Sequence, residues 1–178
     1  MPLDLQDLTD LGGADNTPGL QGVAYFAPLK AFADGGIKEP GEDGVTIATP
    51  HEFKPGEGFS EIYVTLDSNQ FNLATTGERD SRGKSVGGEF FHPGNTKAAA
   101  QFDRVTKNQS GILLVKTPDG VVLQAGTKGL PVEISGTYGS GQLSSGRRGW
   151  TFAIAGYQNG MMFYEGAIAL KRDAVVGG

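Results

Sequence analysis

The chain has 178 residues and no cysteine. Disulfide frameworks and thiolate metal sites are therefore excluded. Histidine is almost as scarce: His51 and His92 are the two present, far apart and each beside a proline. No histidine pair has the one-turn spacing of a zinc-binding helix. No apolar run approaches the roughly 20 residues that a membrane-crossing helix needs. Basic residues are not clustered; 15 Lys and Arg are scattered among 20 Asp and Glu, for a formal net charge of −5. Affinity for phosphates comes from Lys and Arg clusters, so this surface is poorly suited to gripping nucleic acid. It does not prevent the chain from surrounding nucleic acid without binding it. Met1 to Asp10 is acidic and lacks the basic and apolar regions of a secretory signal. Together with the missing cysteine, this points to synthesis in a reducing cytosol.

Glycine, by contrast, is abundant. The 29 glycines are about twice the usual share. They follow no period and separate clear strand patterns, so they mark turns and bulges rather than disorder. The length fits one domain with extensions. The expected organisation is an N-terminal arm over 1–18 and a single domain over 19–171. Long loops are expected at 27–59, 77–88 and 136–148, and a short tail over 172–178. The arm carries Leu3, Leu5, Leu8 and Leu11 among acidic residues, as either a mobile segment or one that orders against a neighbouring subunit.

The strand signals are alternation and turn chemistry. Gly22-Val-Ala-Tyr-Phe-Ala27 is closed by Pro28, and Val45 to Thr49 is a short strand. In Ser60 to Leu66, Ile62, Val64 and Leu66 share one face. With Gln70 to Thr76 across Asp67-Ser-Asn69, it predicts a hairpin. Glu89 to His92 is a short strand. Asn95 to Lys107 is the one convincing helix: Asn95 suits an N-cap, Ala98 to Ala100 are strong helix formers, and Ala98, Phe102 and Val105 form a stripe. Asp103 and Lys107 are spaced for an i,i+4 pair. Ile112 to Val115 and Val121 to Gln124 flank Pro118-Asp119-Gly120, a hairpin turn in which Pro fixes φ and Gly supplies the positive φ. Val132 to Ile134, Trp150 to Ile154 and Met162 to Leu170 complete a meander. Asn159-Gly160 is its strongest hairpin signal. The sum is a mostly-β fold, a β-sandwich or rolled barrel of about eight to ten strands with one flanking α-helix over 95–107.

Catalytic motifs fail on spacing and context. Gly83-Lys84-Ser85 suggests a phosphate-binding loop, but five residues separate Gly77 from Gly83 where that motif has four. The following Val86-Gly87-Gly88 cannot start the helix that would face phosphate. Gly139-Ser140-Gly141 and Ser144-Ser145-Gly146 are not nucleophile elbows. Asp34-Gly and Asp43-Gly lack the later ligands of a calcium loop. Glu61 and Glu89 could meet across strands, though no cleft is evident around them, and exposed strand carboxylates are the commoner case. No catalytic, cofactor-binding or metal-binding residue is therefore assigned, no cofactor is implied, and the chain is not expected to be an enzyme. The pair Arg147-Arg148, with Lys128 and Arg82 elsewhere, could touch a phosphate or a neighbour's carboxylate, though a solvated loop is the commoner case. Phe53, Phe59, Phe90 and Phe91 flank the polar segment 77–88, which carries Arg79, Arg82 and Lys84. Core packing explains most of these aromatics. If that segment is an extended arm, Phe53, Phe59, Arg79, Arg82, Lys84, Phe90 and Phe91 are the candidate inter-subunit residues.

A β-hairpin with a long polar tip, one Ala-rich helix, then a meander ending in an aromatic-rich strand resembles the tail tube proteins of tailed bacteriophages. The stretch Thr17 to Pro28 and the closing Trp150 to Ile154 and Met162 to Ile168 carry the same resemblance, which spans about residues 17–170. It implies a β-sandwich with a flanking helix, whose copies form hexameric rings that stack into a tube. Hairpins from each copy would join into a barrel around a channel, with phage DNA passing through it unbound. The partners implied are further copies of the chain and other tail proteins, with no membrane. The location implied is the virion tail, assembled in the bacterial cytoplasm. The alternatives are another virion part, such as a capsid decoration or head–tail joining protein, and a non-catalytic jelly-roll-like binding module anchored on Trp150. Alternation groups Trp150 with Phe152 and Ile154, which favours a core role for it.

Overall fold

A computed structural model of the chain describes residues 3–176. Met1 and Pro2 of the expected arm, and Gly177 and Gly178 of the expected tail, lie outside them.

Two antiparallel-rich sheets pack face to face, a sandwich that does not close into a barrel. The six-stranded sheet contains β1 (Val23–Pro28), β2 (Thr46–Ile47), β3 (Ser60–Tyr63), β6 (Gly111–Lys116), β7 (Val122–Ala125) and β10 (Met162–Tyr164), in the order β2-β10-β7-β6-β1-β3. The four-stranded sheet contains β4 (Gln70–Thr76), β5 (Gly83–Pro93), β8 (Glu133–Gly139) and β9 (Gly149–Gln158), in the order β4-β5-β9-β8.

The uninterrupted apolar run of β6 belongs to a strand buried on both faces. Leu113 and Val115 point into the space between the sheets, with Phe26, Phe90, Phe152 and Ile154. Ile112 and Leu114 point the other way, into a second core with Ile47, Phe59, Met162 and Tyr164. Segment 29–59 covers this second core. It is held down by Phe32 stacked on Phe53 at 4.5 Å, and Phe59 packs edge-on to both.

Two expected hairpins are instead crossings between the sheets. β3 pairs with β1, whereas β4 pairs with β5 in the other sheet. Asp67, at φ 61°, turns the chain from one to the other, and Asn69 Nδ2 donates to Gln21 O at 2.8 Å to fix the corner. Leu66 is consequently exposed although Ile62 and Val64 are buried. Asn159-Gly160 likewise leads from β9 in the four-stranded sheet to β10 in the six-stranded one. The hairpin at Pro118-Asp119-Gly120 forms as expected, with Gly120 at φ 90° and Lys116 opposite Val122.

The loops expected at 77–88 and 136–148 are shorter. Residues 83–88 belong to β5 and 136–139 to β8. Glycine permits the first extension: at Gly88 (φ 138°) the backbone of Gln70 lies where a side chain would have to go. Within 27–59, besides β1 and β2, Leu29–Ala31 form a 3-10 turn. The expected tail begins as helix α2 (Lys171–Val176), tied to the sandwich by Arg172–Glu61 (3.4 Å) and Lys171–Glu57 (3.1 Å) ion pairs.

The flanking helix α1 spans Lys97–Thr106. Thr96, not Asn95, caps it, accepting from Ala99 N at 3.2 Å. Its inward face is Ala99, Phe102 and Thr106, so Val105 is left 45% exposed. Phe102 wedges edge-on between Phe26 of one sheet and Phe152 of the other, with centroids at 6.1 and 5.2 Å. The helix therefore plugs the gap between the layers.

Candidate functional site

The expected inter-subunit residues do not form one surface. Phe59, Phe90 and Phe91 are buried within the single chain, and Phe53 is half-buried against Phe32. Their apolar area is already used in folding, so they are not available to a partner. Phe91 lies beneath Arg147, whose guanidinium carbon is 3.9 Å from the ring centroid. Arg79 and Arg82 are exposed on the tip between β4 and β5. Lys84, at its base, donates to Thr75 Oγ1 at 2.8 Å.

Glu61 and Glu89 do not meet, because they sit in different sheets, and Glu61 pairs with Arg172. Gly83-Lys84-Ser85 lies within β5. Trp150 packs between Tyr138 and Phe152, at 5.4 and 6.0 Å, so it belongs with the core and does not anchor an open cleft. His51 is buried, and His92 Nδ1 donates to Tyr63 O at 2.8 Å. Among the described residues no group of three or more His, Cys, Asp or Glu could hold a metal ion. No helix there is long and apolar enough to cross a membrane.

What stands out instead is the four-stranded sheet. Its inner face carries Val86, Phe90, Ile134, Phe152 and Ile154 into the core. By register, the opposite face carries Gln70, Asn72 and Ala74 from β4, Ser85, Gly87 and Glu89 from β5, Ala153, Ala155 and Tyr157 from β9, and Glu133, Ser135 and Thr137 from β8. Apart from Tyr157 these side chains are small or polar and include two carboxylates; toward one end of the same face Phe91 lies opposite Thr151 and is covered by the Arg147 guanidinium.

The sheet's two edges are equally distinctive. β4 and β8 have seven residues each, and neither contains Lys or Pro. Among the described residues β4 pairs only with β5 and β8 only with β9. The six-stranded sheet, by contrast, ends in β2 with two residues and β3 with four. Short strands, Lys and Pro are the usual means of blunting a sheet edge against another chain. The six-stranded sheet has short edges, whereas the four-stranded sheet has none of these devices.

No family model matches the chain, and no curated protein and no solved structure matches it.

The full length of β8 was missed because Gly136 suggests a break. Thr137-Tyr138, a β-prone pair directly after it, is the signal that could have extended the strand.

Proposed function

We propose that the chain is a non-catalytic structural subunit that assembles with copies of itself edge to edge, and that the assembly is a phage tail tube. The observation that carries this reading is the pair of long, unblunted edges on one sheet. Three antiparallel steps separate β4 from β8, so the two edges run in opposite directions. The β8 edge of one copy set against the β4 edge of the next therefore continues the antiparallel pattern, with equal strand lengths. The contact is heterologous: it uses different patches on the two copies and closes when the rotation between them completes a ring. Closure removes every free edge of that sheet.

In such a ring this mostly small and polar face, with Arg147 at one end of it, lines the channel. Glu89 and Glu133 would repel phosphates, letting DNA slide where a basic lining would hold it. The exposed tip with Arg79 and Arg82 is then placed for contacts between stacked rings.

Electron microscopy of the purified chain across a concentration series tests the reading, with hollow rings or tubes expected. Asn72→Lys combined with Ser135→Lys places charge on both exposed edge strands without touching the core. Assembly should then need at least about tenfold more protein, while the fold persists by circular dichroism. A chain that stays monomeric at every concentration, or rings indifferent to both lysines, would overturn the edge-pairing reading.

A further inference from the structure

A second contact follows from different residues. Between Leu3 and Pro18 the chain forms neither helix nor strand, and Leu5 and Leu8 are fully exposed, at 101% and 100%. Asp4, Asp7, Asp10 and Asp15 lie in this segment, with no Lys or Arg. Apolar side chains in water gain by burial, so these two bare leucines, three residues apart, are available to a partner.

A groove of about 370 Å³ elsewhere has the opposite character. Its apolar lining includes Leu29, Phe32 and Ile37, and its rim carries Lys54 and Lys128, with Asp34 the one acid. Neither lysine forms an ion pair among the described residues, whereas nearby Lys38 is neutralised by Glu52 at 3.0 Å. The segment does not fill its own chain's groove. Leu3 lies against Gly44 and lines one cavity with the 159–160 turn, and Asp15 to Gly19 line another with the 117–119 turn, Met161 and Phe163. No residue of the segment lines the groove, and the two leucines face solvent.

We infer that the acidic, leucine-bearing segment of one copy docks in the lysine-rimmed groove beside Phe32 of a second copy. Leucine meets the partly exposed Leu29 and Ile37, with buried Phe32 as the floor beneath them, and the flanking aspartates meet Lys54 and Lys128. The contact is heterologous, joining different patches of the two copies. It uses neither β4 nor β8, so it stands apart from the edge pairing.

The absence of native cysteine makes the test direct. Full-length chains bearing Thr9→Cys and Gly129→Cys singly, exposed positions beside Leu8 and Lys128 that leave both in place, are mixed under mild oxidation and run on a non-reducing gel. The mixed disulfide dimer should form at least about tenfold faster than either homodimer. It should slow as salt rises, and slow again when Lys54→Glu is added to the Gly129→Cys chain. The same cross-link should persist in chains carrying Asn72→Lys and Ser135→Lys, which separates this contact from the ring. Equal rates for mixed and like pairs would overturn the inference. So would a chain bearing both cysteines that closes on itself at every concentration, since the segment would then dock within its own chain.

Discussion

His51 is held neutral by its neighbours. Lys38 N donates to Nδ1 at 2.9 Å, which leaves Nε2 to carry the proton and donate to Gln124 Oε1 at 2.7 Å. The ring stacks on Tyr164 at 4.8 Å and meets Phe32 and Phe59. Tyr164 Oη accepts from His51 N and donates to Ala167 O. Burial pushes the His51 pKa below the ordinary 6.5 and the Lys38 charge adds to this, while the Gln124 bond works the other way. A second proton on Nδ1 would face the Lys38 N–H. The unfolded chain, by contrast, takes up a proton near pH 6.5. Because the folded pKa is the lower one, the unfolded state binds more protons as pH falls below 6.5, and stability drops until the folded pKa is reached. Urea unfolding at about pH 7.5 and about pH 5 should show this loss, and His51→Gln should show a smaller pH dependence. An unchanged slope in the variant would mean that other groups set the acid response.

Glycine acts at the scale of the element. Gly88→Ala would press a methyl group into the Gln70 carbonyl and strain a backbone at φ 138°. The strain alone should cost about 1–3 kcal/mol, read as a lower urea midpoint, and the clash adds to it. The same residue shows what the sequence could not convey. Gly87-Gly88 looks like a loop because glycine is a poor strand former, yet the closeness of β4 makes glycine the residue that β5 requires. Turns carried a similar ambiguity. Asp67-Ser-Asn69 and Asn159-Gly160 report that the chain reverses, but not which sheet the next strand joins. That choice lies in packing between residues distant in sequence. The β6–β7 hairpin was legible because partner and turn are both local. Helix α1 was legible from its alanines, but its inward face was displaced by one residue, from Ala98 to Ala99. In that orientation Phe102 packs edge-on between Phe26 and Phe152.

Across the whole molecule, the mostly-β composition was evident from alternation and the flanking helix from its alanines, and the assignment of strands to layers was not. The edges of the four-stranded sheet were invisible for the same reason: an edge is defined by the partner it lacks. Amide hydrogen exchange tests their proposed role. In the monomer, outward amides of β4 and β8 should exchange quickly and those of β6, covered on both faces, slowly. On assembly β4 and β8 should become protected together. Protection of one without the other would contradict head-to-tail pairing.

The order in which the strands appear along the chain has its own consequence. β4 and β5 are made early and β8 late, and β9, which joins β5 to β8, emerges after all three. Until the ribosome has released residue 158, the future edges do not belong to one sheet, and the nascent chain offers no two-sided template. If copies pair through these edges as proposed, translation would delay that pairing until β9 is in place between β5 and β8. Neighbouring ribosomes on one message would then carry growing copies without linking them through a finished sheet.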